Sequence, residues 1–189
     1  MRPICTEREF GRDPDQMLLE IEGRQIFLNG KIDRIDQAGD AFYITDYKSG
    51  RVPQKKAFLD ADLQLPLYIL AADRLVAAKE GGAVTGGGYY ALKEGERMES
   101  FLFEDAQIES LPWGIFSEMT DADGTKIPIK NITMLQEKVK QVLADILRRM
   151  EQGDFQPVPS GNCATYCPAA KICRYRLLKP DQDGEEGHE

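Results

Sequence analysis

The feature that most constrains this chain is a pair of short segments that can close into one β-hairpin. Residues 30–36 read GKIDRID and residues 44–50 read ITDYKSG, and their apolar and polar side chains are patterned well enough to predict strands. The stretch 37–40, which contains Gly39, has the length and composition of a turn between antiparallel strands. This turn allows a register with two facing pairs: Asp33 with Asp46, and Asp36 with Tyr43.

The predicted hairpin places charged groups where a metal ion can bind. Directly opposed residues on antiparallel strands have Cβ atoms roughly 5 Å apart, so Asp33 and Asp46 could share a hard divalent cation, which prefers oxygen ligands. Side chains alternate along a strand, so Lys48 lies on the same face as Asp46, and Tyr47 points away. A lysine beside a metal can orient a water or stabilise negative charge on phosphorus. The segments therefore predict a metal-dependent site for phosphodiester cleavage.

Length and composition indicate one globular unit. With 189 residues, of which 42% are hydrophobic, the chain can build one well-packed core. We assign residues 1–178 to this unit and expect the acidic stretch 179–189 to be a disordered tail. No apolar run approaches the roughly 20 residues of a membrane span, and the N-terminus lacks the apolar core of a signal peptide. The sequence predicts a soluble, cytoplasmic protein without membrane contact.

The charge distribution limits how the protein can bind nucleic acid. A net charge of −8 argues against a surface built for general adhesion to nucleic acid. A few basic residues nevertheless follow the hairpin: Lys48, Arg51, Lys55 and Lys56. They are consistent either with a rim that guides a phosphate backbone past the metal or with an ordinary solvated face.

Hydrophobic periodicity predicts a mixed α/β fold in which an antiparallel meander carries the hairpin. The periodic segments are strands at 17–22, 25–36, 41–48, 83–92 and 97–103, and helices at 63–78 and 131–152. The first helix is apolar nearly all round, so we expect it to be buried, with Pro66 in its first turn. The second is amphipathic and can be capped by Gly153. Residues 111–130 are expected to be irregular, and Gly86–Gly88 to mark a bulge or a close backbone approach.

Two polar residues of the first predicted helix can reach the metal site. Gln64 and Tyr68 are four residues apart and therefore share one helix face. The alternative is an N-terminal polar residue and a core tyrosine with no part in the site.

The cysteines have a spacing that favours a metal or cluster site over disulfides. Cys163, Cys167 and Cys173 lie in a C-terminal segment, 160–176, and Cys5 is near the start. A chain of this size without a signal peptide has no need of a disulfide framework. Four thiolates suit zinc as well as an iron–sulfur cluster, and reduced structural cysteines are the alternative.

The ordered set of motifs resembles the RecB-type branch of the PD-(D/E)XK nuclease superfamily, which includes the AddB nuclease domain and CRISPR-associated exonucleases. The matching segments are GKIDRID, DYKSG at 46–50, QLPLY at 64–68 and the C-terminal cysteine triplet. The likeness runs from about residue 17 to residue 176.

The resemblance implies a restriction-endonuclease-like core and a DNA exonuclease within a repair or recombination machine. DNA and a helicase-like domain or subunit would be its partners. It also implies that Asp33, Asp46 and the backbone carbonyl of Tyr47 ligate Mg²⁺ or Mn²⁺ and that Lys48 acts on the attacking water. Gln64 and Tyr68 would be an auxiliary pair.

The resemblance extends to the cysteines, with one departure. In iron–sulfur members, three C-terminal cysteines join a fourth that lies far upstream. Here the first gap of the triplet, Cys163 to Cys167, has one residue more than the usual two. Cys5 is the available fourth thiolate, so the resemblance implies a [4Fe–4S] cluster on these four residues.

A second departure concerns the metal site. Family members use an acidic residue or histidine on a helix ahead of the first strand. Here only sixteen residues precede the first predicted strand, and they include Glu7 and Glu9. The sole histidine is His188. We expect the chain to be a piece of a larger helicase–nuclease or a shortened relative. The alternatives are a catalytically silent module that binds DNA or a partner, and a hydrolase of small phosphoesters.

Overall fold

The computed structural model describes residues 1–50, 52–53, 58–59, 62–106, 115–120 and 125–155. The chain forms two compact units, Met1–Ile146 and Leu147–Glu189, and the division falls inside the last helix. The boundary predicted at residue 178 and the acidic tail 179–189 lie outside the described residues.

Strands and helices are mixed in the first unit, which confirms the predicted α/β class. In chain order the elements are β1 (Arg2–Phe10), β2 (Met17–Ile21), β3 (Arg24–Leu28), β4 (Gly30–Ala38), β5 (Ala41–Lys48), α1 (Gln64–Ala72), a π-helical segment (Asp73–Ala77), β6 (Ala83–Ala91), β7 (Glu96–Leu102), β8 (Ile115–Phe116), β9 (Glu118–Thr120), β10 (Lys126–Pro128) and α2 (Ile132–Glu151).

A six-stranded sheet with the order β1-β4-β5-β6-β7-β8 organises the first unit. Its pairs are antiparallel except for β5 with β6 and β7 with β8, which are parallel. The parallel pair β5–β6 is joined through α1, because parallel neighbours need a crossover connection. Smaller two-stranded sheets are formed by β2 with β3 and by β9 with β10.

The predicted meander differs from the structure at Asn29. The strand expected at 25–36 is divided there, because β3 pairs with β2 while β4 pairs with β1. Gly11 approaches the division closely: a Cβ on it would lie 2.4 Å from the carbonyl oxygen of Leu28. The stretch 111–130, expected to be irregular, contains the short strands β8, β9 and β10 among its described residues.

Helix α1 packs on the face of the central sheet, against β4, β5 and β6. Pro66 lies in its first turn, as predicted, and is buried together with Leu65 and Ile69. A Cβ on Gly87 of β6 would lie 2.9 Å from Leu65 Cδ1. The missing side chain at this position therefore lets the helix approach the sheet.

The glycine run in β6 belongs to a strand and allows close backbone approach, which confirms the prediction. A Cβ on Gly86 would lie 2.1 Å from the carbonyl oxygen of Phe101, and a Cβ on Gly88 would lie 2.5 Å from the hydroxyl of Tyr43. The β6–β7 register also shifts between Gly88 and Tyr90.

Helix α2 keeps only part of its predicted apolar stripe buried. Leu135 and Val139 are fully buried, whereas Ile146 and Met150 are exposed. At the end of the helix, Gly153 has a φ of 68° and its N–H donates to the Met150 carbonyl, as expected of a glycine cap. Among the described residues, neither α2 nor any other helix combines the length and apolar character needed to cross a bilayer.

The C-terminal end of helix α1 is tied to the sheet by a carboxyl group. Asp73 Oδ1 accepts a hydrogen bond of 3.1 Å from the backbone N–H of Val84. Burial raises the pKa of Asp73 above its ordinary value of 3.8, and the Val84 hydrogen bond opposes this rise. Because the folded pKa lies above the unfolded one, the folded state binds this proton more tightly, and the stability contributed here falls as pH rises between the two values.

Asp73→Asn is therefore expected to stabilise the protein at neutral pH relative to wild type. The amide oxygen can still accept the Val84 N–H, and the desolvation of a charge disappears. The advantage should shrink as the pH falls through the raised folded pKa toward the ordinary value of 3.8, because the wild-type carboxyl group becomes protonated in the fold. Urea unfolding of both proteins at pH 7 and at pH 3.8 measures the difference. A gain that is the same at both pH values would contradict this account.

Candidate metal and nuclease site

The hairpin at the centre of the site has the predicted register. β4 pairs with β5 in antiparallel fashion, with Asp36 opposite Tyr43 and Ala38 opposite Ala41. The turn is therefore shorter than the stretch 37–40. Gly39 adopts a φ of 62°, which two-residue hairpin turns need and which glycine tolerates without steric cost.

Asp33 and Asp46 lie together at the open end of this hairpin. The register continues to the pair Arg34–Thr45, directly beside them. Asp33 Oδ2 accepts a 2.8 Å hydrogen bond from the backbone N–H of Tyr47, so the second strand orients the carboxylate of the first. Asp46 is only 2% exposed.

Lys48 connects the hairpin to helix α1. Its Nζ lies 2.7 Å from Asp46 Oδ2 and donates to Gln64 Oε1 at 2.6 Å. The amide nitrogen of Gln64 then donates to the Tyr68 hydroxyl at 3.1 Å. The structure thus brings four predicted site residues into one continuous chain of polar contacts, which runs from Asp46 through Lys48 and Gln64 to Tyr68. Asp33 lies beside Asp46 at the start of this chain.

Burial makes Asp46 the electrostatically unusual group of the site. Desolvation raises the pKa of Asp46, Lys48 opposes the rise, and the neighbouring carboxylates Asp33 and Asp62 add to it. The Lys48 ammonium forms an ion pair with Asp46 Oδ2 at 2.7 Å, and beyond this ion pair the buried oxygen has no hydrogen-bond donor among the described residues. A buried carboxylate oxygen with no other donor has room to ligate a metal cation.

The donor set therefore fits a hard divalent ion with two protein carboxylates. Among the residues that the structure describes, no group of three histidine, cysteine or acidic side chains converges at one point. Asp33 and Asp46 would leave the remaining positions of an octahedral ion to water, carbonyl oxygens or substrate phosphate, which is usual for Mg²⁺.

Two residues of the site were not identified as such from the sequence. Asp62, which lies just ahead of helix α1, is buried and accepts hydrogen bonds from the Gln64 N–H and the Tyr89 hydroxyl. Tyr89 sits in β6 directly beside Asp46. No local motif could have revealed them, because their position depends on the parallel pairing of β5 with β6.

The opposite face of the hairpin carries a second polar cluster. Arg34 donates to Asp36 Oδ1 through Nε at 2.9 Å and Nη2 at 2.7 Å, and Arg97 Nη2 lies 3.9 Å from Asp36 Oδ2. Arg97 also donates to the hydroxyl of Thr45 at 3.2 Å. Arg34 reaches the Tyr47 hydroxyl at 3.3 Å, so this cluster braces the strand segment that holds Asp33.

A cleft of about 610 Å³ opens on the β1 and β4 side, next to Tyr68. Its charged lining residues are three basic and three acidic side chains: Arg8, Arg12, Lys31, Glu9, Asp13 and Asp15. Arg8 pairs with Asp15 at 2.5 Å, and Lys31 pairs with Glu7. The cleft therefore offers no concentrated positive charge for a phosphate backbone.

Several predicted ligands remain predictions. The backbone N–H of Tyr47 donates a hydrogen bond to Asp33. Metal ligation by the Tyr47 carbonyl stays a prediction. Cys5 lies in β1 as a half-buried thiol. Cys163, Cys167 and Cys173 lie outside the described residues, as do Arg51, Lys55 and Lys56 of the predicted basic rim.

Comparison with known proteins identifies the family that the sequence motifs resemble. Residues 1–174 match the family model described as the PD-(D/E)XK nuclease superfamily. Two similar relatives are both named as a subunit of an ATP-dependent helicase/deoxyribonuclease. The protein of Moorella thermoacetica is 36% identical over 105 residues, which is 49% of this chain and 9% of the relative. The protein of Oenococcus oeni is 38% identical over 102 residues, which is 44% of this chain and 9% of the relative.

The chain thus aligns with about a tenth of the length of these relatives, whereas the family match covers nearly all of it. Together with a hairpin that sets two aspartates beside a lysine on a mixed sheet, this match shows that the chain belongs to the PD-(D/E)XK nuclease superfamily.

Proposed function

We propose that this chain is a metal-dependent DNA nuclease domain that hydrolyses phosphodiester bonds. One observation carries the proposal: Asp33 and Asp46 lie side by side at the hairpin end, and the Lys48 ammonium forms a 2.7 Å ion pair with a buried Asp46 oxygen that has no other donor among the described residues. A buried acid beside a lysine and a second acid is suited to hold a cation and to act on phosphate.

Asp33, Asp46 and the backbone carbonyl of Tyr47 would hold Mg²⁺ or Mn²⁺. A divalent ion held there supplies Lewis acidity to a water nucleophile and positive charge beside the scissile phosphate. The protein preorganises both carboxylates. The Tyr47 N–H donates a 2.8 Å hydrogen bond that orients Asp33, and the core around Asp46 excludes water from one side of its carboxylate.

Lys48 would orient the attacking water or stabilise negative charge on phosphorus. Its ammonium is held between Asp46 and Gln64, and Gln64 is held in turn by the Tyr68 hydroxyl. Because all three contacts are made before substrate arrives, the ammonium needs little reorganisation during the reaction. Gln64 is exposed and Tyr68 is half-buried, so this side of the site is open to a substrate.

We further propose that the domain works on DNA as an exonuclease within a repair or recombination complex, together with a helicase-like domain or subunit. The names of the relatives support this proposal, since both are called subunits of an ATP-dependent helicase/deoxyribonuclease. Such a role agrees with the cytoplasmic location expected from the sequence. The four cysteines, Cys5, Cys163, Cys167 and Cys173, are proposed to hold a [4Fe–4S] cluster or zinc.

Titration of the 189-residue chain with Mn²⁺ tests the metal site. We expect one site in the wild-type protein and at least tenfold weaker binding in Asp33→Ala, because a carboxylate ligand is lost. Asp40→Ala serves as the control, since Asp40 is an exposed acid in the turn of the same hairpin. Isothermal titration calorimetry measures all three proteins. Failure of the wild-type chain to bind Mn²⁺ would instead favour a silent module with a nuclease fold.

A further inference from the structure

Asp62 lies at the junction between helix α1 and the strands of the site. It is 9% exposed, and each of its two carboxyl oxygens has its own donor. Oδ1 accepts a 3.2 Å hydrogen bond from the backbone N–H of Gln64, the first residue of α1. Oδ2 accepts a hydrogen bond from the hydroxyl of Tyr89. Asp62 therefore ties the start of the helix to strand β6.

Tyr89 brings this junction into contact with Lys48. The tyrosine is 5% exposed and pairs with Asp46 in the β5–β6 register. Its ring centroid lies 5.4 Å from Lys48 Nζ, within the range of a cation–π interaction. Burial, followed by the nearby Asp62 carboxyl group, raises the pKa of Tyr89, so its hydroxyl stays protonated and acts as a donor.

The Lys48 ammonium thus has two neutral partners among the described residues, the Gln64 amide and the Tyr89 ring. The residues that carry these partners both hydrogen-bond to the Asp62 carboxyl group: the backbone N–H of Gln64 donates to Oδ1 and the hydroxyl of Tyr89 donates to Oδ2. A lysine side chain has a flexible four-carbon stem and keeps one position only if its surroundings hold it. The two hydrogen bonds to Asp62 provide such surroundings, because they fix the residues that contact Lys48.

We propose that Asp62 is a positioning residue: it anchors Gln64 and Tyr89 through its two carboxyl oxygens and so holds the Lys48 ammonium beside the metal-binding carboxylates. The catalytic consequence rests on the function proposed above, whereas the effect on the Lys48 side chain does not. Asp62 is not assigned as a metal ligand, because both of its oxygens already accept hydrogen bonds from protein donors.

Kinetics on linear DNA with Mg²⁺ provide the first measurement. Asp62→Ala is expected to lower kcat roughly 10–100-fold, the usual cost of removing a residue that orients a site group, with KM changed by less than about threefold. Asp62→Asn should recover most of the activity, since an amide can accept from the Gln64 N–H and donate to the Tyr89 hydroxyl. Tyr89→Phe keeps the ring and should lose less than Asp62→Ala.

The matched control is Asp73→Ala. Asp73 follows the same helix, and its carboxyl group also accepts a backbone N–H, from Val84. It makes none of the contacts that hold Lys48. A general weakening of α1 would affect both alanine variants alike, whereas the proposal expects loss of kcat in Asp62→Ala and near wild-type kcat in Asp73→Ala.

A second measurement reports on Lys48 without catalysis. In ¹⁵N-lysine-labelled protein, an ammonium held by fixed partners exchanges slowly enough to be seen by NMR, and Lys48→Ala identifies its signal. We expect the signal in the wild type and in Asp62→Asn, and its loss or broadening in Asp62→Ala. The Mn²⁺ affinity of Asp62→Ala should stay within about threefold of wild type, because the metal carboxylates are intact.

The outcomes separate the two proposals. If the wild-type chain cuts no DNA, the proposed function fails, yet the Lys48 signal still decides whether Asp62 positions the lysine. Unchanged kcat and an unchanged Lys48 signal in Asp62→Ala would overturn the inference. If Asp62→Ala does not fold, Tyr89→Phe decides: wild-type kcat and an unchanged Lys48 signal in that variant would overturn it equally.

Discussion

Asp46→Ala is expected to reduce Mg²⁺-dependent cleavage of linear DNA by roughly 10³-fold or more, and Lys48→Ala by about 10²–10⁴-fold. Asp46 is the buried carboxylate of the site, and Lys48 forms an ion pair of 2.7 Å with its Oδ2, which has no other donor among the described residues. Removing the first takes away a proposed metal ligand, and removing the second takes away the group proposed to act on water or phosphate. Release of acid-soluble fragments from labelled DNA measures both.

These losses should occur without unfolding. Desolvation raises the pKa of Asp46 by more than its ion pair with Lys48 lowers it, so the buried charge has a net cost in stability, and Asp46→Ala removes this cost together with the ion pair. Circular dichroism and thermal unfolding should therefore show a folded protein. Lys79→Ala is the matched control, because Lys79 makes a surface ion pair with Asp15 and such pairs contribute little. Wild-type cleavage by both Asp46→Ala and Lys48→Ala would exclude this hairpin as the active site.

Asp36→Ala is expected to cost about 3 kcal/mol of the free energy of unfolding. Asp36 is 1% exposed, and the change removes the carboxylate that Arg34 Nη2 contacts at 2.7 Å and that Arg97 Nη2 approaches at 3.9 Å. Removing one partner of a buried ion pair lowers the free energy of unfolding by about 3–5 kcal/mol. We expect a loss at the lower end of this range, because the side chains of Arg34 and Arg97 are 26% and 25% exposed. Urea unfolding monitored by circular dichroism measures the loss.

The matched control for this prediction is Glu80→Ala. Glu80 is an exposed acid, and a surface change of this kind is expected to stay within about 0.5 kcal/mol. For a chain of this size, a 3 kcal/mol loss corresponds to a decrease in Tm of roughly 6–12 °C. A difference below about 1 kcal/mol between the two variants would mean that the cluster on the back of the hairpin does not stabilise the fold.

Much of the candidate site could be predicted because its geometry is local. The turn at Gly39 and the two-residue period of side chains together determine which residues of β4 and β5 face each other. A one-residue slip would move every side chain of a strand to the other face, so the alternative registers are strongly disfavoured. The pair Gln64–Tyr68 is local in the same sense, because residues four apart meet on a helix.

The division of the strand at Asn29 was not predictable in this way. Residues 25–36 alternate well enough to predict a strand, but this periodicity is compatible with one strand or two. The stretch forms two strands because the residues before Asn29 pair with β2 and the residues after it pair with β1. These partners lie outside the window in which periodicity is read, so local pattern carries no information about them.

By itself, the sequence determined the hairpin, its register and the shared face of Asp33, Asp46 and Lys48, since turn length and alternation are properties of neighbouring residues. Only the tertiary structure decided which groups surround Lys48. The parallel pairing of β5 with β6 brings Tyr89 beside Asp46, and the packing of α1 brings Asp62 to Tyr89. Such contacts join residues far apart in the chain, and they form only when a helix crosses between two parallel strands.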